Sequence, residues 1–138
     1  MRHIDKIILH CTATYPDSYV TVGIIDTWHR KRGWENGIGY HYVIYTNGEI
    51  HRGRDIDIIG AHTKGHNKTS IGVAYVGGID SKGVPRDTMT IQQETSWLHL
   101  VQGLRTVFGY CKVHGHNEFS SKACPSFNVQ DKYKFLNI

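Results

Sequence analysis

Residues 114–126 read HGHNEFSSKACPS, so two histidines, a glutamate, a lysine and a cysteine fall between His114 and Cys124. Imidazole and thiolate are the donors that zinc prefers, and a thiol beside an imidazole can also serve as a nucleophile with its base. A catalytic zinc site takes three protein ligands and keeps one position open. Cys124 stands in Lys122-Ala123-Cys124-Pro125, and a neighbouring cation favours thiolate. A free cysteine is otherwise a small buried hydrophobe, and the local sequence divides evenly between these readings. His116 lies eight residues before Cys124 and His114 ten before it. Neither spacing matches a short structural-zinc motif, but a loop that folds back could bring either imidazole to the sulfur.

A third ligand has to come from elsewhere, and His10 is well placed to supply it. It ends the apolar run KIILHC, so a rigid strand would hold it while the loop supplies the other two. Around such a centre Tyr40 and Lys122 acquire roles. Tyr40 opens YHYVIY and is a packing residue unless its hydroxyl faces the metal. Lys122 is a solvated surface residue unless it stands beside a polarised carbonyl oxygen, where it would stabilise developing negative charge. His62 and Asn67, in GAHTKGHN, belong to a glycine-punctuated loop that could rim a cleft or simply be flexible. Glu118 could act as a general base or orient a ligand. His29 and His99 fall on helices and read as structural, while His3, His51 and His66 have no constellation around them. Two histidines and a cysteine also make blue-copper sites, but these want a weak axial ligand, and Met1 and Met89 are poorly placed for it.

The elements that must position these groups follow from periodicity. Residues 6–14, KIILHCTAT, read as a strand buried on both faces and therefore central. Alternation sends His10 and Cys11 to opposite faces. Residues 21–34 predict a helix, with Val22, Ile25 and Trp28 on one stripe and basic residues in the last turn. YHYVIY, the turn Thr46-Asn47-Gly48 and EIHRGR form a hairpin. SIGVAYVG, from residue 70, is another buried strand. Thr90 and Gln93 make a capping box for a long helix with Ile91, Leu98, Val101, Leu104 and Phe108 inward, ending near Gly109. A short strand at Lys112–Val113 leads into the opening segment, and Asn128 caps a last helix. The order predicts an α/β fold: a single domain over residues 1–138, with a central mixed β-sheet flanked by helices.

Composition narrows the function classes. With 138 residues, 39% hydrophobic and 20% charged, the chain fits one globular core. No apolar run approaches a membrane span, so no membrane insertion is expected. The run Ile7-Ile8-Leu9 is far too short for a signal-peptide core, so synthesis in the cytoplasm without export is expected. Three cysteines without a CxxC pair exclude a zinc ribbon and argue against a disulfide framework. The net charge of +4 suits an anionic polymer such as bacterial wall as well as it suits plain solubility. There is no dense basic run or aromatic-basic motif, and stable nucleic-acid binding is not expected.

Several stretches in order carry a resemblance: HCTAT, WHRKRGW with GIGYHYVIY, GRDIDIIGAHTKGHNKTSIGVAYVGGID, and HNEFSSKACPSF. Together they resemble the zinc-dependent N-acetylmuramoyl-L-alanine amidases of the phage lysozyme type, whose fold is shared with peptidoglycan recognition proteins. The resemblance runs from about Ile7 to Phe127. It implies one catalytic zinc ion held by His10, His116 and Cys124, and so chooses His116 over His114. It implies catalytic roles for Tyr40 and Lys122, and His62 and Asn67 are expected to line the substrate cleft. The expected partner is bacterial peptidoglycan, cut between N-acetylmuramic acid and L-alanine by a monomeric phage or prophage endolysin. It would be made in the host cytoplasm and act after the membrane is permeabilised. The alternatives are a non-catalytic wall-binding module, against which the complete ligand set argues, a cysteine hydrolase, or a regulator of a phage RNA polymerase. Some enzymes of this type bind such a polymerase, but the short stretch before the first strand argues against that role here.

Overall fold

A computed structural model describes residues Met1–Ile138. Five strands form one mixed sheet: β1 (Lys6–Cys11), β2 (Tyr42–Ile44), β3 (Ile50–Arg52), β4 (Ser70–Tyr75) and β5 (Lys112–Gly115), in the spatial order β3-β2-β4-β1-β5. β1 runs parallel to both β4 and β5, β2 runs parallel to β4, and only the hairpin partner β3 is antiparallel. The expectation that β1 is central holds, because it has a strand on each side and Ile7 to Cys11 are all buried. It is shorter than its apolar run predicts. Beyond Cys11 the chain turns away, although Thr14 still bridges Gly78.

Alternation divides the sheet into two chemically different faces. Ile7, Leu9 and Cys11 of β1 and Ile71, Val73 and Tyr75 of β4 pack against Trp97, Val101 and Leu104 of helix α2 (Ile91–Phe108). Val129 of the short helix α3 (Val129–Lys132) and the following Tyr133 complete this core. Each fully buried aliphatic or aromatic side chain of this kind contributes about 1.5–3 kcal/mol. The other face is covered by helix α1 (Val22–Lys31), through a smaller cluster of Val20, Ile25, Ile38, Val43 and Val76. His10, paired in register with Ala74, belongs to this second face.

Helix ends follow the sequence signals. The Thr21 hydroxyl accepts the Ile24 N–H and starts α1, and the Thr90–Gln93 capping box starts α2. The predicted stripes need two corrections. Trp28 is 39% exposed and His29 takes the inward place, because His29 Nδ1 accepts the buried Gly39 N–H at 2.9 Å. Ile91 is 84% exposed, and Gln93 and Trp97 are inside instead. The Gln93 amide donates to the carbonyls of Ile44 and Val76, so the capping residue also ties two strand ends together and its polarity is satisfied. No helix is long and apolar enough to cross a membrane.

Candidate active site

His10 lies at the C-terminal end of β1, only 1% exposed, on the face turned toward α1. Cys124 approaches the same strand end from its loop, and its Sγ accepts the Cys11 backbone N–H at 3.1 Å. His116 follows directly after β5, at the start of a short 3-10 turn. Glu118 fixes that turn: one carboxylate oxygen accepts the Gly115 N–H at 2.7 Å, and the other meets His114 Nδ1 at 2.8 Å. The Gln130 amide donates to both oxygens. Thus His114 is engaged by Glu118, and His116 is the histidine that joins His10 and Cys124.

One ligand atom from each of His10, His116 and Cys124 lies within 4.8 Å of the other two. Tetrahedral zinc, with Zn–N of about 2.1 Å and Zn–S of about 2.3 Å, sets its ligand atoms roughly 3.5 Å apart, so this donor set fits with small side-chain adjustments. The electrostatics agree. Burial, and then the neighbouring His62, His116 and Lys122, hold His10 well below the usual imidazole range. Burial and Lys122 lower His116 in the same way. Both rings are therefore neutral, which is their ligating form. The Cys11 thiol and burial push the Cys124 thiol above its ordinary value, while the Cys11 amide and Lys122 pull it down. A bound cation would oppose that rise and favour thiolate.

Beside the triangle is a cleft of about 470 Å³, lined among others by Tyr40, His62, Asn67, His116 and Lys122. The Tyr40 ring lies 5.0 Å from the His10 ring, centroid to centroid. Burial, and then the two nearby cysteines, raise its phenol, so it remains a hydrogen-bond donor at any physiological pH. Lys122 is exposed and makes no ion pair. Asn67 Oδ1 accepts the N–H groups of His62 and Thr63, each at 2.9 Å. His62 Nδ1 lies 2.9 Å from His10 Nε2.

The cleft also contains Arg32, Trp34 and Lys64, which the sequence reading passed over. The basic end of α1 complements the helix dipole, and that ordinary reading hid Arg32. No aspartate or glutamate lines the cleft, so the three cations Arg32, Lys64 and Lys122 give it a positive field. Two grooves of about 550 and 500 Å³ run along α2 and are larger, but they contain none of His10, His116 and Cys124.

The family model for N-acetylmuramoyl-L-alanine amidase, Amidase_2, matches residues 1–127. The endolysin of Enterobacteria phage K11 is 40% identical over 129 residues, which cover 94% of this chain and 85% of that one. Among solved structures, the N-acetylmuramoyl-L-alanine amidase LysC from Clostridium intestinale URNW superposes with a TM-score of 0.82 at 29% identity, covering 96% of this chain and 87% of that one. Drosophila PGRP-LB shares the fold, with a TM-score of 0.81 at 22% identity over 97% of this chain and 81% of its own.

Proposed function

We propose that this chain, which belongs to the N-acetylmuramoyl-L-alanine amidase family and is an amidase of the endolysin type, depends on one zinc ion held by His10, His116 and Cys124. The observation that carries the reading is the convergence of those three donors beside a cleft that also holds Tyr40 and Lys122. The bond to be cut joins the lactyl group of N-acetylmuramic acid to the L-alanine of the stem peptide.

Zinc bound there supplies Lewis acidity, which acidifies water and polarises an amide carbonyl. The side chains do the rest. Lys122 has no carboxylate partner, and its charge is available to the oxygen that becomes negative as the carbonyl is attacked. Tyr40 keeps its proton and donates a hydrogen bond to that oxygen or to the attacking water. The walls near His62 and Asn67 receive the stem peptide, whose carboxylates suit the positive field of Arg32 and Lys64. In the setting of its phage relatives, the enzyme would work on the cell wall, reached from the cytoplasm once the membrane is permeabilised.

The test is digestion of purified peptidoglycan with the protein, with chelator, and with chelator followed by zinc. New L-alanine amino termini and new reducing sugar ends are assayed separately. Alanine termini that disappear with chelator and return with zinc are expected. Alanine termini that persist in chelator would refute the zinc dependence. A protein that pellets with the wall and releases nothing would point to a binding module.

A further inference from the structure

Resting on the zinc reading above, we infer that His62 is a positioning residue that holds His10 with hydrogen on Nε2 and thereby presents His10 Nδ1 to the metal. The directions of three hydrogen bonds fix this arrangement. The Ser70 hydroxyl donates to the His66 carbonyl at 2.7 Å, which commits its only proton. Ser70 Oγ also lies 3.3 Å from His62 Nε2 and can only accept there, so that nitrogen carries hydrogen. In a neutral ring the other nitrogen, Nδ1, is then an acceptor. It faces His10 Nε2 at 2.9 Å, so His10 donates from Nε2 and keeps its lone pair on Nδ1. Thr63 Oγ1 lies 2.9 Å from His62 Nδ1 and 3.3 Å from His10 Nε2, where its oxygen can share the His10 N–H as a second, longer acceptor.

The fold clears space for this ring. A Cβ at Gly72 would come within 2.5 Å of His62 Cδ2, and one at Gly60 within 2.7 Å of the same atom. Real Cβ atoms do not approach so closely, so glycine at both positions lets the imidazole lie against β4. The paired hydrogen bonds from the backbone at His62 and Thr63 to Asn67 fix the chain beneath it. With both nitrogens engaged inside the protein, His62 acts through His10. Partners that orient a metal ligand are typically worth about 10- to 100-fold in metal affinity.

The test compares zinc affinity, by competition with a chelator, for the full chain and for His62→Leu and His62→Asn. Nitrogen NMR of the His10 ring in the zinc-loaded parent is read alongside. Leucine removes the acceptor, while the Asn oxygen restores one near the place of Nδ1. The expected results are about 10- to 100-fold weaker binding for His62→Leu, recovery of most of that loss in His62→Asn, and a slowly exchanging proton on His10 Nε2. Parent-like affinity in His62→Leu, or a proton on His10 Nδ1, would overturn the assignment while leaving the zinc site intact. A parent that binds no zinc would remove both the zinc reading and this inference. If His62→Leu does not fold, the Asn variant and the parent's NMR decide: parent-like or near-parent affinity with the Nε2 proton supports it, and the Nδ1 proton refutes it.

Discussion

His29 and His41 should make the protein acid-labile well above the carboxylate range. Both are buried, at 5% and 1% exposure, and both accept a backbone N–H on Nδ1: His29 from Gly39 at 2.9 Å, His41 from Gly72 at 3.1 Å. Protonation would turn each acceptor into a donor facing a donor. Burial first, and then Arg32 and Arg54, lower His29 from 6.5 to about 4. Burial also lowers His41 to about 4, with Arg2 and Arg54 adding to it against the Ile58 carbonyl. A depressed folded-state value means that the unfolded chain binds more protons in acid. Stability is therefore fully present above pH 6.5 and is lost as pH falls from there through 4. At pH 5 an unfolded histidine is almost fully charged and these two are mostly neutral, so each costs about 2 kcal/mol relative to pH 8. The pair then removes about 4 kcal/mol, a large share of the 5–15 kcal/mol that holds a typical domain. Urea unfolding at pH 8 and pH 5 should be compared between the parent and His29→Asn, whose Oδ1 can still accept the Gly39 N–H but does not titrate. The other titrating groups are common to both proteins and cancel in the difference. The variant should lose about 2 kcal/mol less than the parent over this interval. Equal losses would refute the assignment of a depressed His29.

Two further outcomes test the cleft and the sheet face beneath it. Lys122→Met should lower turnover on peptidoglycan by about 10²- to 10³-fold, the usual size of a lost oxyanion contact. Zinc content measured by metal analysis should not change, and unchanged turnover would remove Lys122 from the mechanism. Gly72→Ala should destabilise the fold by about 1–3 kcal/mol through overpacking against the His62 ring. It should also weaken zinc binding in a chelator titration, and a variant matching the parent in both would show that the ring is free to move.

Strand and helix positions were legible in the sequence where a single local rule decided them. The β-branched run held the central strand β1, though a shorter one, and the Asn47-Gly48 turn and the Thr90 capping box proved to be what they predicted. Errors arose where a polar side chain entered the interior for a partner remote in sequence. His29 displaced Trp28 because Gly39 needed an acceptor, and Gln93 entered the core to reach two strand-end carbonyls. Periodicity weighs hydrophobicity, and it cannot foresee a hydrogen bond to a strand not yet placed. The same limit applies to the site. Spacing alone left His114 and His116 equal, and only the family resemblance separated them. The structural reason is Glu118, four residues beyond His114, which engages that ring. His62 had a visible signal in the glycines nearby, but their meaning depends on Gly60 and Gly72 meeting the same ring in space.

The three residues of the triangle, His10, His116 and Cys124, differ in how the chain restrains them. His10 is fixed by its strand, and on the inference above by His62. His116 belongs to a turn whose first amide and adjacent histidine are both bound to Glu118, itself held by Gln130 at the start of α3. Cys124 is tied to the backbone of Cys11, the residue after His10. Parity matters here: Cys11 points into the α2 core while its amide serves the sulfur, so one strand position supplies packing on one face and ligand geometry at its end. A one-residue slip of β1 would send His10 into the apolar core and destroy the site, and burying its imidazole there without a partner makes that slip costly. The one buried polar side chain of the central strand therefore helps to set its register, and that register sets the place of His10.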